Sequence, residues 1–370
     1  MSDVATQPTA GPIFVMGAQG SGTTVMRLIL DSHENIAMAQ ETGFARLLVA
    51  NEWVPFAGEV TARWYRQIGL SKDELERELA AFYGGLFTTF AQRRGANRWG
   101  DKTPSHVWHM DLLARVFPDA VFIGMIRHPG AGASSRTRRM GHSWSSSVTH
   151  WVRRNTEMLG RAAELGDRFV LCRYEDLVTR PEPVLRELFG WLGESWSDRL
   201  LAFHEVHRER GTPRQVEGWT HSDEPLDTSR VGAWTEGMTA QRWERLDKPA
   251  VRELARVTGY RIDVAIPEPW EEDTQLLSGT RLRERMAEAG GIDWSKRARP
   301  SLPNRPLTLR DLNEVKRRAA RRAAPPGLSE QVVARVQQVG GRVLHLLPVP
   351  LRRPARTAWW KVRSRLGRRG

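Results

Sequence analysis

Short apolar runs that stop at glycine or a charged residue alternate along this chain with stretches whose apolar positions recur every three to four residues. Ile13-Phe14-Val15-Met16 is the first run, and it leads into glycines as a buried parallel strand entering a turn would. Val25, Leu28, Ile29 and Ser32 follow at helical spacing, so strand, glycine-rich turn and helix come in direct succession. Ile36-Ala37-Met38 predicts a second short strand ending at Glu41. Ser71 and Glu74 form a capping box for a helix over 71–94, with Leu75, Leu79, Phe82, Tyr83, Leu86 and Phe90 on one face. A loop carrying Asp101-Lys102-Thr103-Pro104, a helix over 106–116 and the buried strand Ala120–Ile126 come next. Phe169-Val170-Leu171-Cys172 predicts a further strand. Val184, Leu185, Leu188, Trp191 and Leu192 predict a helix stopped by Gly193. Strands alternating with helices imply a parallel sheet covered on both faces, an α/β fold.

No period of 20–50 residues repeats, which excludes solenoids and propellers. Beyond about residue 270 the strand-like runs stop, Pro and Arg accumulate, and helices are expected only at 308–324 and 329–347. The organisation expected is a disordered N-terminus (1–10), an α/β domain (11–270) and a basic helical C-terminal extension (271–370).

Charge sharpens that division. The 370 residues hold 56 Lys and Arg against 43 Asp and Glu, a net charge of +13. Residues 296–370 carry 20 of the basic groups and 3 of the acidic ones, so residues 1–295 are slightly acidic. The basicity belongs to the tail, and it does not make the body a nucleic-acid binder. Cys172 is the only cysteine, which rules out an internal disulfide and a cysteine-based zinc site and fits a reducing compartment. Met1–Gly11 lacks the basic n-region of a secretory signal, and no apolar run of about 18 residues occurs. A cytoplasmic protein is expected, peripheral on the inner face of the membrane. Arg clusters, Trp359-Trp360 and the stripe Val332, Val336, Val339, Val343, Leu346 suit an anionic membrane surface.

Gly17-Ala18-Gln19-Gly20-Ser21-Gly22-Thr23-Thr24 lies between strand and helix, where an anion cradle belongs. Glycines turn successive N–H groups toward one oxyanion and the helix N-terminus adds its partial positive charge. Ser21, Thr23 and Thr24 supply hydroxyl donors. A Walker A loop would place Lys before its last Ser or Thr, and Thr23 stands there. That argues against a P-loop small-molecule kinase, the first alternative. The second is a non-catalytic nucleotide- or membrane-binding protein.

This loop resembles the 5′-phosphosulfate loop of sulfotransferases that use 3′-phosphoadenosine 5′-phosphosulfate (PAPS), and five further segments match in order. Glu41-Thr42-Gly43-Phe44 lies where the bacterial, tyrosyl-protein and heparan branches have their acidic residue. Gly100-Asp101-Lys102-Thr103-Pro104 is similar to the Lys-containing loop, and Arg127-His128-Pro129 with Ser135 to the 3′-phosphate motif. Arg173-Tyr174-Glu175-Asp176-Leu177 and Ser229-Arg230-Val231-Gly232-Ala233-Trp234 resemble the Tyr-Glu-Asp-Leu segment and the cofactor-closing loop.

The resemblance implies a P-loop-like sulfotransferase fold and in-line sulfuryl transfer from PAPS, leaving PAP, to an acceptor hydroxyl or amine, with no metal. The acceptor is unidentified; the tail suits a lipid or lipid-linked glycan. Glu41 is the implied base, with His106 its rival, and Lys102 the cation for the transferred group. Gln19, Gly20, Ser21, Gly22, Thr23 and Thr24 are the implied 5′ cradle. Arg127 and Ser135 are implied for the 3′-phosphate, Tyr174 for the adenine side, and Arg230 and Gly232 for closure. Arg136, Arg138 and Arg139 read as a solvated face. Many relatives carry Lys or Arg where this chain has Gly20, so either Lys102 or Arg27 takes over that charge or turnover is slower than in relatives, and Arg27 itself reads as a surface residue. The region 140–155, with His142, Trp144, His150 and Trp151, is a candidate acceptor lining that matches no motif.

Overall fold

In the computed structural model, the described residues are 11–45, 48, 63–65, 67–211, 224–268, 270 and 274–289. β1 (Ile13–Gly17) passes through the loop 18–22 into α1 (Thr23–Ser32) and returns as β2 (Ile36–Gln40). α2 (Lys72–Arg93) leads to β3 (Arg98–Lys102), a 3-10 turn (Pro104–Trp108), α3 (Met110–Val116) and β4 (Val121–Ile126). α4 (Pro129–Met140) and α5 (Trp144–Leu165) carry the chain to β5 (Phe169–Arg173). Then come α6 (Tyr174–Thr179), α7 (Pro181–Leu192), α8 (Phe203–Glu209), α9 (Ser229–Gly232), α10 (Ala240–Leu246) and α11 (Pro249–Val257). β6 (Leu277–Ser278) and α12 (Gly279–Glu288) follow.

The strand order is β2-β3-β1-β4-β5-β6, parallel throughout except for β6. Phe14 and Met16 point into one core layer with Trp99, Phe122, Trp151 and Leu159. Ile13 and Val15 point into the other, with Met26, Ile29, Val121, Ile123, Leu185 and Leu188. Both faces of β1 are thus buried, which is why it reads as an unbroken apolar run. Because β1, β3 and β4 run the same way, the loops after Gly17, Lys102 and Ile126 converge on one edge of the sheet, where open α/β folds bind ligands.

Three expectations fail locally. The loop expected around Asp101 is largely a buried strand, β3, whose sequence Arg-Trp-Gly-Asp-Lys hides it. Its charges tolerate burial because each is paired. Arg98 bonds Glu194 at 3.0 Å and the Leu192 carbonyl at 2.7 Å, and Asp101 and Lys102 have the partners described below. The helix expected over 106–116 breaks at His109 into the 3-10 turn and α3. On α2 the capping box forms, yet Phe82 and Leu86 are 60% and 53% exposed while Ala80, Phe87 and Ala91 are buried.

The domain boundary expected near 270 lies too early. β6 pairs antiparallel with β5, Leu277 opposite Leu171, and α12 buries Leu282 and Met286. Gly279 passes so close to the Ala162 and Gly166 carbonyls of the α5 end that no side chain would fit. Two strand residues and a mostly polar helix leave little apolar signal in sequence. The tail 296–370, its two expected helices and residues 1–10 lie outside the described residues. No described helix is long and apolar enough to cross a membrane.

Candidate active site

The loop after β1 is held open by its glycines. Gly17, Gly20 and Gly22 have φ of +155°, +92° and +96°. A Cβ on Gly17 would meet the Met125 carbonyl, and one on Gly22 would enter the Tyr174 ring. Gly22 caps α1 without any side-chain bond, so the first N–H groups of the helix face the loop. Ser21 Oγ and Thr24 Oγ1 are buried and have no hydrogen-bond partner among the described residues. Thr23 is buried beside them and Gln19 half-buried. Two orphaned hydroxyls and an uncapped helix start fit an oxyanion.

Arg127 follows β4 and closes this cradle. Its guanidinium lies 4.1 Å from the centre of the Tyr174 ring, reaches the Gly20 carbonyl at 3.4 Å and the Arg230 carbonyl at 3.3 Å, and leaves Nε without a partner. Tyr174 thus stacks between Gly22 and Arg127. Ser135 packs on Gly20, its Oγ 3.2 Å from where a Cβ would be, with an Arg139 nitrogen at 3.4 Å. Arg127, Arg138 and Arg230 line a cavity of about 310 Å³ with Ala131, Ser134, Ala233 and Trp234. Arg138 and Arg139 therefore belong to the site's wall. Arg136 is buried and bonds Ser147, so it leaves the expected solvated face, while Arg138 and Arg139 are exposed as expected.

Buried groups orient that wall. Glu175 accepts from the His128 N–H at 3.0 Å and from the Tyr260 hydroxyl at 2.7 Å, which fixes the backbone just after Arg127. The His128 ring stacks on Trp234 at 4.4 Å and is held down at about 4, chiefly by burial. Arg230 turns its side chain to Asp227 at 2.7 Å and offers the site its carbonyl. A Cβ on Gly232 would lie 3.9 Å from Ala265, so that glycine is not required for any close approach.

Glu41 and Lys102 meet at the ends of β2 and β3, Oε1 to Nζ, at 2.5 Å. Glu41 is the one non-glycine described residue with a left-handed φ, +43°, and its N–H is pinned to the Lys102 carbonyl at 2.9 Å. Such backbone strain, of order 1–3 kcal/mol, persists where the surroundings impose it and clusters at functional sites. Lys102 is fully buried while the Glu41 side chain is 46% exposed. Burial pushes the Lys102 ammonium below its ordinary value, the Glu41 carboxylate opposes that, and Arg27 adds to it. Arg27 is itself buried, which corrects its expected surface position.

His106 does not join them. It is fully buried, bonds Asp101 Oδ2 at 2.6 Å, and packs edge-on against Phe14 and Phe44. Asp101 also accepts from Thr103 at 2.8 Å, so the imidazole helps hold the β3 end in place.

A sequence profile of the sulfotransferase family matches residues 12–198. The chain belongs to the sulfotransferase family and is a sulfotransferase. It is 25% identical over 287 residues to protein-tyrosine sulfotransferase 1 of Danio rerio, covering 75% of this chain and 79% of that protein. It is 24% identical over 264 residues to a putative protein-tyrosine sulfotransferase of Caenorhabditis briggsae, covering 69% and 91%. Among solved structures it resembles the sulfotransferase domain of the Synechococcus PCC 7002 olefin synthase, with 20% identity and a TM-score of 0.49 over 70% of this chain and 98% of that one.

Proposed function

We propose that this sulfotransferase uses PAPS as donor and a hydroxyl as acceptor, with Glu41 as the general base. The observation that carries the reading is the pairing of two separate anion-binding features on one sheet edge. One is the glycine cradle with its orphaned Ser21 and Thr24 hydroxyls, and the other is the Arg127–Ser135–Arg139 wall. A nucleotide with both a 5′-phosphosulfate and a 3′-phosphate needs both. In this reading Gln19–Thr24 hold the 5′ end, and Arg127, Ser135 and the Arg230 backbone segment hold the 3′ end. Bound there, PAPS supplies the sulfuryl group.

The chain's own groups do the rest. Glu41 Oε1 is committed to Lys102, so Oε2 is the atom that takes the acceptor's proton. Lys102, a buried point charge at the end of β3 beside β1, is in this reading the cation for developing negative charge, in a site where fixed charges act strongly. Its ion pair also keeps the Glu41 carboxylate oriented toward the acceptor side. Tyr174 and Arg127 brace one another and keep the donor site open. The relatives' names point to a tyrosyl phenol as one acceptor to try. The lipid or glycan expectation rested on the tail, which lies outside the described residues.

The test is an assay of the full chain with PAPS or Mg·ATP against phenolic and alkyl hydroxyl acceptors. Acceptor-dependent release of PAP, with no ADP from ATP, is expected. ADP formation would instead make it a kinase, and PAP binding without transfer to any acceptor would make it a binding protein.

A further inference from the structure

One group of cations lies outside the donor site and the Glu41–Lys102 pair. Arg136 on α4 is nine-tenths buried, and its Nε has no hydrogen-bond partner among the described residues. Across from it on α5, His150 Nε2 and Arg154 Nη1 are likewise buried and without partners. Arg153 and Arg154 lay their guanidiniums over the Trp108 ring at 4.9 and 4.4 Å. Burial, and then the charges of Arg136, Arg154, His142 and Arg153, hold the His150 imidazole down at about 3, so it is neutral.

Compensation is thin. Glu157 is the nearby carboxylate on α5, but both its contacts, at 2.9 and 2.7 Å, go to Arg161. Burial also pushes its carboxyl up to about 7. Arg153 and Arg154 therefore face one carboxylate that already serves Arg161. Uncompensated, partly buried guanidiniums with idle N–H donors are costly in a fold, since each forfeits hydration without gaining a partner. An oxyanion would satisfy them together.

The position matters as much as the charge. Trp151, one turn before Arg154 on α5, donates from its indole N–H to the Arg127 carbonyl at 2.8 Å. Trp108 ends the 3-10 turn that begins two residues after Lys102. Arg136 directly follows Ser135 in α4, and it turns toward α5 while Ser135 turns toward Gly20. These groups thus adjoin the catalytic edge on the α5 side, apart from Tyr174 and the glycine loop.

We propose that Arg136, His150 and Arg154 bind an oxyanion group of the acceptor, a carboxylate or a sulfate or phosphate ester, placed beside the hydroxyl that Glu41 deprotonates. This rests on the sulfuryl-transfer reading above. It assigns the region 140–155, which no motif explains, to acceptor selection by charge.

The experiment titrates acetate and methyl phosphate, separately, into the full chain saturated with PAP, and follows the His150 imidazole by NMR. A saturable shift is expected for at least one of the two anions, and which one distinguishes a carboxylate from an ester acceptor. Arg154→Gln should weaken that binding at least about tenfold, with PAP affinity unchanged. If Arg154→Gln does not fold, Arg154→Lys, which keeps the charge but loses the fork, should show a smaller loss in the same direction. In the transfer assay the anion should compete with the acceptor and not with PAPS. No saturable shift with either anion, equal binding in the variants, or competition with PAPS alone would overturn the proposal. Failure of PAP to bind strikes the donor reading instead, and it is seen on the same sample before any anion is added.

Discussion

Replacing Glu41 by Gln separates the two things this side chain does. Gln keeps the length and can still offer an oxygen toward Lys102 Nζ, now at 2.5 Å from Oε1, but it cannot accept a proton. Losing a general base costs about 10²–10⁴-fold in turnover. The structural cost is smaller. Lys102 is fully buried and loses its carboxylate partner, yet the Glu41 side chain is 46% exposed, so solvent screens the pair and its loss costs about 1 kcal/mol or less. For a body of this size that moves Tm by about 2–4 °C. The strained φ of +43° remains, because it is imposed by the bond from the residue 41 N–H to the Lys102 carbonyl, which Gln also makes. PAP affinity should stay near wild type, since Glu41 lies across the site from Arg127 and Ser135. The assays are steady-state PAP formation, calorimetric PAP binding and thermal unfolding on the same preparations. A Glu41→Gln enzyme within tenfold of wild-type kcat, with its fold and PAP binding intact, would refute the base assignment.

Other consequences follow from the loop and the buried histidine. Gly20→Lys should not restore a loop cation. A side chain there meets Ser135 Oγ at 3.2 Å in a backbone with φ of +92°, so PAP binding should weaken about tenfold in calorimetry, and raised turnover would contradict this packing. His128 is neutral in the fold, at about 4 against an ordinary 6.5, so unfolding takes up a proton as pH falls below 6.5. Its stability contribution is complete above pH 6.5 and is lost progressively down to about pH 4, a total of about 3 kcal/mol. Denaturant unfolding at pH 7 and pH 5 checks this, and an equal loss in His128→Gln would show that other groups are responsible.

Much of the site is legible in sequence because its chemistry is local. Gly17–Thr24 sits between an apolar strand and an amphipathic helix, and the structure gives its glycines the positive φ that only such residues adopt freely. Arg127 directly follows the strongest apolar run and arrives where a β4 end must. What sequence hides is what long-range pairing decides. β3 is polar along most of its length, and only its partners Glu194, His106 and Glu41 reveal how it can be buried. His106 stands near Lys102 in sequence, yet its ring turns inward to Asp101 and the Phe14 layer. Arg136 and Arg139 lie on one helix and face different neighbours, which periodicity alone does not resolve when both are charged. β6 and α12 join the body through backbone pairing and a few apolar contacts, with no run to announce them.

A donor site built for a nucleotide carrying a 3′-phosphate is tested by calorimetry of wild type and Arg127→Ala with PAP and with adenosine 5′-phosphosulfate. Arg127 reaches the Gly20 and Arg230 carbonyls only at 3.4 and 3.3 Å and keeps Nε free, so its stronger bonds are available to a phosphate. Losing a charge-assisted hydrogen bond costs about 1.5–3 kcal/mol, or roughly 10- to 150-fold in Kd. Wild type should bind PAP far more tightly than adenosine 5′-phosphosulfate, and Arg127→Ala should lose that preference while binding adenosine 5′-phosphosulfate nearly as before. Equal weakening of both ligands, or no wild-type preference for PAP, would mean that Arg127 does not bind a 3′-phosphate.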